Sequence, residues 1–503
     1  MENFLLYSYI LALAIVSVYG FHRYYMVFLF RKHKDKKFLP KDKFRKLPKV
    51  TIQLPIFNEK YVVERLIDSI SRIKYPKNLL EIQVLDDSTD DTVILAENKV
   101  IEQQKKGFNI KYIHRTDRTG YKAGALENGL ATAEGEYIAI FDADFLPEPD
   151  FLEKTIHYFT DNNIGMVQAR WDHINRDYSL LTECQSILLD GHFMVEQTAR
   201  SRSGRFFNFN GTAGMWRKQA INEAGGWQHD TITEDMDLSY RAQLKGWKFV
   251  YLPDVTVPSE LPVEMSAFKA QQFRWAKGSI EVFLKLISII VKANIPLKQK
   301  VEAFFHMGSN FAWLLMGYVA IVMPLNIVIR YKVGFMPIFL MDIPIFVLAS
   351  ASVVVFYLFS EYMVLKETLS VQHRSILTTM LYLPMALAIG IGIGINNFKA
   401  VTQAVFKVVT PFNRTPKYNV NADKTGASSK IKANVYRIKK IDWVIVIEMV
   451  MGLYFTLVIL FMLEKEQFFT VPFLMLFQLG FLYTAIMSIY NFSFSFNFKK
   501  AEK

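Results

Sequence analysis

The sequence predicts an α/β domain with a mainly parallel, Rossmann-like sheet, joined to an α-helical transmembrane domain with interfacial helices. Two patterns in the 503 residues support this fold class. Between Val50 and about Trp275, short β-rich runs alternate with segments of helical periodicity, which is typical of a parallel sheet with helices on both faces. Outside that region, apolar runs with few charges are long enough to cross a bilayer.

The α/β region contains five runs that we predict to be strands and four that we predict to be helices. The strands are expected at residues 50–56, 81–85, 110–114, 137–141 and 165–170, and the helices near residues 61–72, 90–106, 122–132 and 150–160. Ligands bind beyond the carboxyl ends of the strands in such sheets. The acidic clusters Asp86-Asp87 and Asp142-Ala143-Asp144 fall at two of these strand ends.

The apolar runs predict five membrane spans. Residues 4–22 contain no Asp, Glu, Lys or Arg, and they lack the basic start and small-residue cleavage site of a signal peptide. Further spans are expected at 308–329, 338–363, 441–463 and 468–490. Residues 279–293 and 376–398 are predicted to lie in the membrane interface. Because 376–395 is also long enough to span, six spans remain the alternative.

The net charge of +12 is concentrated in two segments that flank apolar runs. Residues 31–49 carry an excess of eight positive charges and residues 399–440 an excess of nine, so the rest of the chain is net negative. This distribution follows the positive-inside rule, which predicts a cytoplasmic α/β domain and argues against nucleic-acid binding. An aromatic content of 15% argues against disorder, and the single Cys184 excludes a disulfide scaffold.

These patterns divide the chain into eight segments. We predict an N-terminal transmembrane helix (1–30), a basic juxtamembrane linker (31–49), the α/β domain (50–278), interfacial helices (279–307), two transmembrane helices with an interfacial helix (308–398), a basic cytoplasmic loop (399–440), two transmembrane helices (441–490) and a cytoplasmic tail (491–503).

Four short motifs are candidates for chemistry. Asp142 and Asp144 could converge on one hard cation, Mg²⁺ or Mn²⁺, although a single D-x-D is often a solvated turn. Asp235 in TEDMD is either a helix cap or a general base. Arg274 and Trp275 in QQFRW are either an interfacial anchor pair or a binding site for diphosphate and sugar. Lys122 in GYKAG offers a further cation beside small residues.

Taken in order, DDSTDDT, GYKAGALENG, FDADF, FNGTAG, TEDMD and QQFRW resemble the processive membrane glycosyltransferases of family 2. The sequence around these motifs is most similar to plant cellulose-synthase-like mannan and xyloglucan-backbone synthases, and more distantly to cellulose synthase. The resemblance covers residues 50–280. It implies a GT-A fold and an inverting hexosyltransferase that adds hexose from UDP-glucose or GDP-mannose to a β-glycan and secretes the product.

The same resemblance implies roles for the matching residues. Asp235 would be the catalytic base, next to Glu234 in the TED box. Donor-binding residues would be Asp86, Asp87, Lys122, Asp142, Gln271, Arg274 and Trp275. Acceptor-binding residues would be Phe209, Asn210, Gly211, Thr212 and Trp275. Asp142 and Asp144 would hold Mg²⁺ or Mn²⁺.

Residues 409–417 look like a diverged version of the cytoplasmic gating loop of these synthases. Arg414, Thr415 and Lys417 approximate its pattern, and Pro416 departs from it. A basic loop that only follows the positive-inside rule is the alternative reading.

Two other functions remain open from the sequence. A lipid glycosyltransferase, resembling ceramide glucosyltransferases, shares the motif order but adds one sugar to a membrane lipid. A membrane scaffold or transporter with an inactive transferase domain is the third reading. The expected partners are a nucleotide-sugar donor, a glycan or lipid acceptor, the lipid bilayer and accessory secretion subunits. The expected location is a bacterial inner membrane, with a Golgi membrane as the alternative.

Overall fold

The computed structural model describes residues 2–333, 345–367, 375–410, 414–420 and 442–501. Its centre is one seven-stranded sheet, with strands β1 Val50–Ile56, β2 Leu80–Asp86, β3 Asn109–His114, β4 Tyr137–Ile140, β5 Ile164–His173, β6 Gly214–Arg217 and β7 Lys248–Ser259. The spatial order is β3-β2-β1-β4-β6-β5-β7. The five strands expected from the sequence are β1 to β5.

All strand pairs are parallel except those of β6, which runs antiparallel between β4 and β5. The predicted α/β fold with a mainly parallel sheet is therefore confirmed. The sequence analysis missed β6, which has only four residues, and β7, which contains Pro253 and Pro258. Proline weakens a strand pattern because it cannot donate to a ladder. A shift in the β5–β7 register, between Leu252 and Thr256, accommodates the first proline.

Helices cover both faces of the sheet, as the alternating pattern predicts. One core beneath the sheet includes side chains of α2 Val63–Ile70, α3 Thr92–Lys105 and α5 Phe151–Ile156. The second core includes side chains of α4 Tyr121–Thr132, α8 Lys218–Glu223 and α9 Glu234–Leu244. Between β5 and β6, α6 Leu180–Asp190 continues through a π-helical turn, Gly191–Glu196, into α7 Gln197–Arg202.

The remaining helices include the candidate membrane spans. They are α1 Glu2–His33 at the N-terminus and, after the sheet, α10 Met265–Lys292, α11 Leu297–Gly308, α12 Ala312–Val333, α13 Ser352–Glu367, α14 Ile376–Gly392, α15 Gly394–Val405, α16 Trp443–Glu464 and α17 Val471–Ala501. The predicted domain border at residue 278 falls inside the continuous helix α10. Gly278 lies in its middle, where an added Cβ would stand 2.4 Å from Cγ2 of Thr233.

Five helical segments among the described residues are long and apolar enough to cross a membrane, so the chain is an integral membrane protein. They are Asn3–His33, Leu297–Ile329, Leu348–Glu367, Trp443–Glu464 and Phe468–Tyr490. The second begins eleven residues before the predicted start at 308. Residues 338–344 of the third predicted span lie outside the described residues. Helices α14 and α15 meet at a bend of 41° and would make a sixth span if they cross together, so the choice between five and six stays open.

Gly392 of α14 and Gly480 of α17 allow the two helices to approach closely. This contact leads to a prediction about stability. A Cβ at Gly392 would lie 2.3 Å from the carbonyl oxygen of Gly480, whereas a Cβ at Gly390 would meet nothing within 4 Å among the described residues. Small residues at membrane helix contacts permit such packing. We therefore expect Gly392→Ala to lower the melting temperature in detergent or nanodiscs. Gly390→Ala, the matched control, should leave it unchanged or raise it, because alanine favours helices by about 1 kcal/mol. Equal effects of both substitutions would contradict this packing.

Candidate active site

The carboxyl end of β4 and the amino end of β6 bring two predicted motifs together. Ile140 pairs with Gly214 across the antiparallel ladder. This pairing places the FNGTAG loop, which leads into β6, against the FDAD loop, which leaves β4. The backbone N–H of Asp142 donates a hydrogen bond to Oγ1 of Thr212 over 2.8 Å. The predicted acceptor and metal motifs are thus in contact.

Lys122 lies at the centre of this group. Its Nζ is 2.6 Å from Oδ1 of Asp142 and donates to the carbonyl oxygen of Gly211 over 2.9 Å. Gly211 has a φ of +82°, and a Cβ there would stand 3.1 Å from Oδ2 of Asp235. Only glycine adopts this conformation without strain. The glycine therefore lets Lys122, Asp142 and Asp235 gather around one backbone segment.

Burial shifts the ionisation of these side chains. Burial, with a smaller contribution from the neighbouring Glu234 carboxylate, raises the pKa of Asp235 to about 7 against the opposing effect of Lys122. Burial likewise raises the pKa values of Asp142 and Glu234. Burial lowers the pKa of Lys122, but the surrounding carboxylates outweigh it and the net shift is upward. Asp235 can therefore exchange a proton near neutral pH, which is the property of a general base.

Helix α10 carries the QQFRW motif along the other side of the site. Gln271 and Trp275 line the same cavity as Asp235. Arg274 donates to Oγ1 of Thr415 over 2.7 Å. Burial lowers the pKa of Arg274 to about 10, although the nearby Glu234 and Asp142 carboxylates oppose the shift. The guanidinium remains positively charged near the Asp142 carboxylate.

The possible gating loop, residues 409–417, is described at 409–410 and 414–417, and its second part lies near the site. Lys417 donates to Oδ2 of Asp144 and to the carbonyl oxygen of Glu260, both over 2.7 Å. Arg414 pairs with Glu59 at 2.9 Å. Residues 411–413 lie outside the described part. Thr415 and Lys417 therefore contact predicted site residues, and Arg414 is held beside them by Glu59.

Two residues that hold this loop were missed by the sequence analysis. Glu59 follows the end of β1, so the rule that singled out the strand-end carboxylates would have found it. Burial raises its pKa to about 7, against the charge of Arg414. Glu260 accepts from the backbone N–H of Tyr418 over 2.7 Å, and it was missed because it follows β7, a strand that the sequence analysis did not predict.

Three predicted binding residues are held by contacts inside the protein. Asp86 is fully buried, and its two oxygens accept from the N–H of Ser88 and the hydroxyl of Tyr112. Asp87 forms a bidentate salt bridge with Arg115, whose guanidinium donates to both carboxylate oxygens. Phe209 is fully buried and packs edge-on against a core tryptophan. A sequence motif marks these positions but does not tell whether a side chain points inward or outward.

The Asp142 and Asp144 carboxylates fit a divalent cation in part. Within the described residues, no cluster of three or more His, Cys, Asp or Glu side chains could hold a metal ion by itself. Mg²⁺ and Mn²⁺ sites in nucleotide enzymes use one or two carboxylates and complete the shell with phosphate oxygens and water. Asp142 is paired with the ammonium group of Lys122, and Asp144 with that of Lys417. The two carboxylates therefore form a site that attracts positive charge.

A cavity of about 1250 Å³ extends from the site into the membrane region. At one end it is lined by Asp235, Gln271 and Trp275, and at the other by residues of the membrane helices, including Tyr9 and Phe473. Trp313 also lines it. Phe311, close to Trp313 in the sequence, packs against Phe283.

Comparison with known proteins agrees with this geometry. Residues 48–278 match the family described as "Glycosyltransferase like family 2". These residues form a family 2 glycosyltransferase domain. The predicted resemblance is confirmed, down to its subgroup: the chain is 47% identical over 292 residues to glucomannan 4-beta-mannosyltransferase 2 of Arabidopsis thaliana. It is 48% identical over 270 residues to probable glucomannan 4-beta-mannosyltransferase 7 of Oryza sativa.

These matches cover only part of each protein. The first match covers 56% of this chain and 55% of the Arabidopsis relative. The second covers 52% of this chain and 46% of the rice relative. The chain thus spans about half the length of the curated relatives it matches. A solved mannosyltransferase from Pyrobaculum calidifontis, in complex with GDP-Man and Mn²⁺, aligns with a TM-score of 0.53 at 19% identity, covering 80% of this chain and all of that one. That likeness supports the predicted GT-A fold.

Proposed function

We propose that the chain is an inverting hexosyltransferase that transfers mannose from GDP-mannose to a growing β-glycan and secretes the product across the membrane. The observation that carries the proposal is the cavity that joins Asp235 and Trp275 to the membrane helices. GDP-mannose is preferred over UDP-glucose because the relatives are named glucomannan 4-beta-mannosyltransferases.

The proposed reaction is a single displacement. An acceptor hydroxyl attacks the anomeric carbon of the α-linked donor sugar, and the bond from that carbon to the diphosphate oxygen breaks. Asp235 takes the hydroxyl proton as the new β bond forms, and the diphosphate leaves with the electron pair. Lys122 and Arg274 offset the negative charge that develops on the diphosphate.

Asp142 and Asp144 are the residues that would hold Mg²⁺ or Mn²⁺. A bound divalent ion would add positive charge beside the leaving diphosphate. Gln271 and Trp275 complete the proposed donor site, and Asn210, Gly211, Thr212 and Trp275 the proposed acceptor site. Asp86, Asp87 and Phe209 support these sites from inside.

The proposed secretion path is the membrane part of the cavity. A glycan crossing hydrocarbon needs a protein-lined path because unpaired hydroxyls there are costly. Aromatic side chains such as Tyr19, Trp313 and Phe477 line the cavity and offer faces for sugar rings. We place the family 2 domain in the cytoplasm, as the positive-inside rule suggests. We place the chain in a bacterial inner membrane, with a Golgi membrane as the alternative.

One observation favours the second candidate function, a lipid glycosyltransferase. The membrane part of the cavity also has many aliphatic side chains, including Leu13, Val319 and Ile327. Such a lining would suit the hydrocarbon chain of a lipid acceptor as well as the face of a sugar.

The proposed function is tested with the purified chain in lipid nanodiscs, supplied with Mn²⁺ and labelled GDP-mannose or UDP-glucose in parallel. We expect a high-mass labelled product from GDP-mannose that β-mannanase releases. Label in the solvent-extracted lipid fraction would replace this proposal with the lipid glycosyltransferase. Product from UDP-glucose alone would change the donor. A proteoliposome assay with the domain outside, in which only lumenal product resists added β-mannanase, tests secretion.

A prediction about cation binding follows from the pair between Lys417 and Asp144. The Lys417 ammonium occupies an oxygen that the proposed cation needs. We expect Lys417→Met to lower the Kd for Mn²⁺, measured in the absence of donor by electron paramagnetic resonance, by about tenfold. Lys60→Met is the control, because its partner Asp91 is largely exposed and is separate from the pair at Asp144. An unchanged Kd in the Lys417 variant would contradict the competition.

A further inference from the structure

Arg118, in the loop between β3 and α4, lies against two aromatic rings. The central carbon of its guanidinium is 3.2 Å from the ring centroid of Phe57 and 4.9 Å from that of Tyr121. Arginine stacked on aromatic faces keeps its edge of N–H donors available. Arg118 is half-buried, and neither Nη1 nor Nη2 has a hydrogen-bond partner in the part of the chain that the structure describes. A fixed pair of donors is therefore available to a ligand.

Arg115 fixes the loop that carries Arg118. Its guanidinium donates to the two carboxylate oxygens of Asp87 over 2.8 and 2.5 Å, and to the carbonyl oxygen of Tyr121 over 3.1 Å. Tyr121 has a φ of +49°. This conformation is costly for a bulky residue, and such strained residues cluster at functional sites. In this conformation the ring of Tyr121 lies against Arg118.

Phe57, on the other side of Arg118, is fixed by a connection between the loops that follow β1 and β2. The backbone N–H of Asn58 donates to Oγ of Ser88 over 2.7 Å, and the N–H of Thr89 donates to Oδ1 of Asn58 over 2.8 Å. Both rings therefore belong to loops that are held by hydrogen bonds. A guanidinium between them loses little freedom when a ligand binds, which favours binding.

Arg118 lies at the carboxyl edge of the sheet, beside the ends of β1 and β2. Phe57 follows β1, and Asp87, which acts electrostatically on Arg118, follows β2. The proposed site for cation and diphosphate, at Asp142, follows β4 on the other side of β1. Neighbouring strands are about 4.8 Å apart, so about 5 to 10 Å separates the two positions. An extended nucleoside diphosphate bridges such a distance between its base and its second phosphate.

The chemistry of the donor pair favours one nucleobase. Guanine presents two neighbouring acceptors, O6 and N7, which an arginine binds with two parallel hydrogen bonds. Adenine carries an amino donor in place of O6, and a pyrimidine such as uracil has no N7. Lys122 and Arg274 already serve the diphosphate in the proposed reaction. Guanine is therefore the part of the donor that suits Arg118.

We propose that Arg118 binds O6 and N7 of the guanine base and thereby selects GDP-linked over UDP-linked sugars. This inference rests on the proposed function, because it requires a nucleotide sugar at this edge of the sheet. The sequence analysis did not identify Arg118, since its ring contacts join a residue that follows β1 to residues that follow β3.

The test measures the binding of nucleoside diphosphates to the full chain in nanodiscs by calorimetry. We expect the wild type to bind GDP more tightly than UDP. It should bind 7-deaza-GDP, which lacks only the N7 acceptor, about 10-fold more weakly than GDP, the effect of one lost hydrogen bond to a charged group. Arg118→Met should lower the affinity for GDP about 10- to 100-fold and leave that for UDP unchanged. The difference between GDP and 7-deaza-GDP should disappear in this variant.

Lys77→Met is the matched control. It removes another cation above an aromatic ring, 4.1 Å from the centroid of Phe108, but Lys77 precedes β2 at the amino edge of the sheet. Its affinities for the three nucleotides should equal those of the wild type. The comparison of GDP with 7-deaza-GDP in the wild type needs no variant, and equal affinities there would overturn the proposal.

The outcomes separate this inference from the proposed function. Equal losses of GDP and UDP affinity in Arg118→Met would assign Arg118 to the diphosphate and overturn base recognition. A 7-deaza effect that persists in the variant would also overturn it. If the wild type transfers mannose from GDP-mannose and Arg118→Met binds GDP as the wild type does, the inference falls and the proposed function stands. If GDP binding responds as expected but no sugar is transferred, the inference stands and the proposed function falls.

Discussion

Replacing Asp235 with asparagine should lower the transfer rate about 10²- to 10⁴-fold, the usual contribution of general-base help. The substitution keeps the shape of the side chain and removes only its ability to take a proton. Its backbone contact, in which Oδ1 accepts from the N–H of Met236 over 2.8 Å, can persist. Full activity in this variant would remove Asp235 from the proposed role of base.

The pH dependence provides a second readout of the same residue. Since the pKa of Asp235 is raised to about 7, the wild-type rate should rise with pH and level off above about 7. The contribution of Asp235 to the stability of the fold changes with pH in the opposite direction to the rate. A carboxyl whose pKa is raised on folding stabilises the fold while it is protonated, and this stabilisation is lost as the pH rises from its ordinary value of 3.8 towards about 7. Asp235→Asn should therefore melt at the same or a higher temperature than the wild type at pH 8.

The control for both measurements is Asp161→Asn. Asp161 precedes β5 at the amino end of that strand, on the edge of the sheet opposite the site. Its variant should keep the wild-type rate and pH profile. A pH profile in Asp161→Asn that differs from the wild type would show that the titration belongs to the whole domain and not to Asp235.

Replacing Lys269 with methionine should destabilise the chain by about 3–5 kcal/mol, because it leaves a buried carboxylate without its partner. Lys269 donates to Oε2 of Glu448 over 2.8 Å, and Glu448 is fully buried in α16. The pair joins α16 to α10, the helix that carries QQFRW. The double variant Lys269→Met/Glu448→Leu should recover most of the loss, since replacing both charges with apolar groups is often neutral.

Thermal unfolding in nanodiscs measures this effect, and the chain offers a matched control. Lys399 forms a pair with Asp442 at a comparable distance of 2.6 Å, but Asp442 is 44% exposed. Lys399→Met should therefore cost no more than about 1 kcal/mol. If the double variant were as unstable as Lys269→Met alone, the loss would come from packing around Lys269 and not from the unpaired charge.

Local patterns were sufficient to predict the sheet up to β5. Strands β1 to β5 consist of apolar runs bounded by polar clusters, and alternating helices predict their parallel pairing. The sequence analysis missed β6 because it is short, and β7 because it contains two prolines. The single antiparallel strand depends on pairing with two neighbours, which a window of sequence cannot show.

The candidate site was predictable as a set of motifs but not as a set of contacts. The motifs identify Lys122, Asp142 and Asp235, and the structure brings them together. The pair between Lys417 and Asp144 joins residues 273 positions apart, so no local pattern reveals it. Asp86 shows the converse: its place in a motif suggests a ligand contact, and only the fold shows that both oxygens are used inside the protein.

The antiparallel strand β6 has a consequence for how the two substrates influence each other. Through the Ile140–Gly214 pair and the hydrogen bond from Asp142 to Thr212, the loop proposed for the donor and the loop proposed for the acceptor are one hydrogen-bonded body. If one ligand displaces its loop, these contacts would carry the displacement to the other loop. Donor and acceptor binding would then be thermodynamically linked: the factor by which the proposed donor changes acceptor affinity equals the factor by which acceptor changes donor affinity. A growing glycan would in this way set the affinity for its own next sugar.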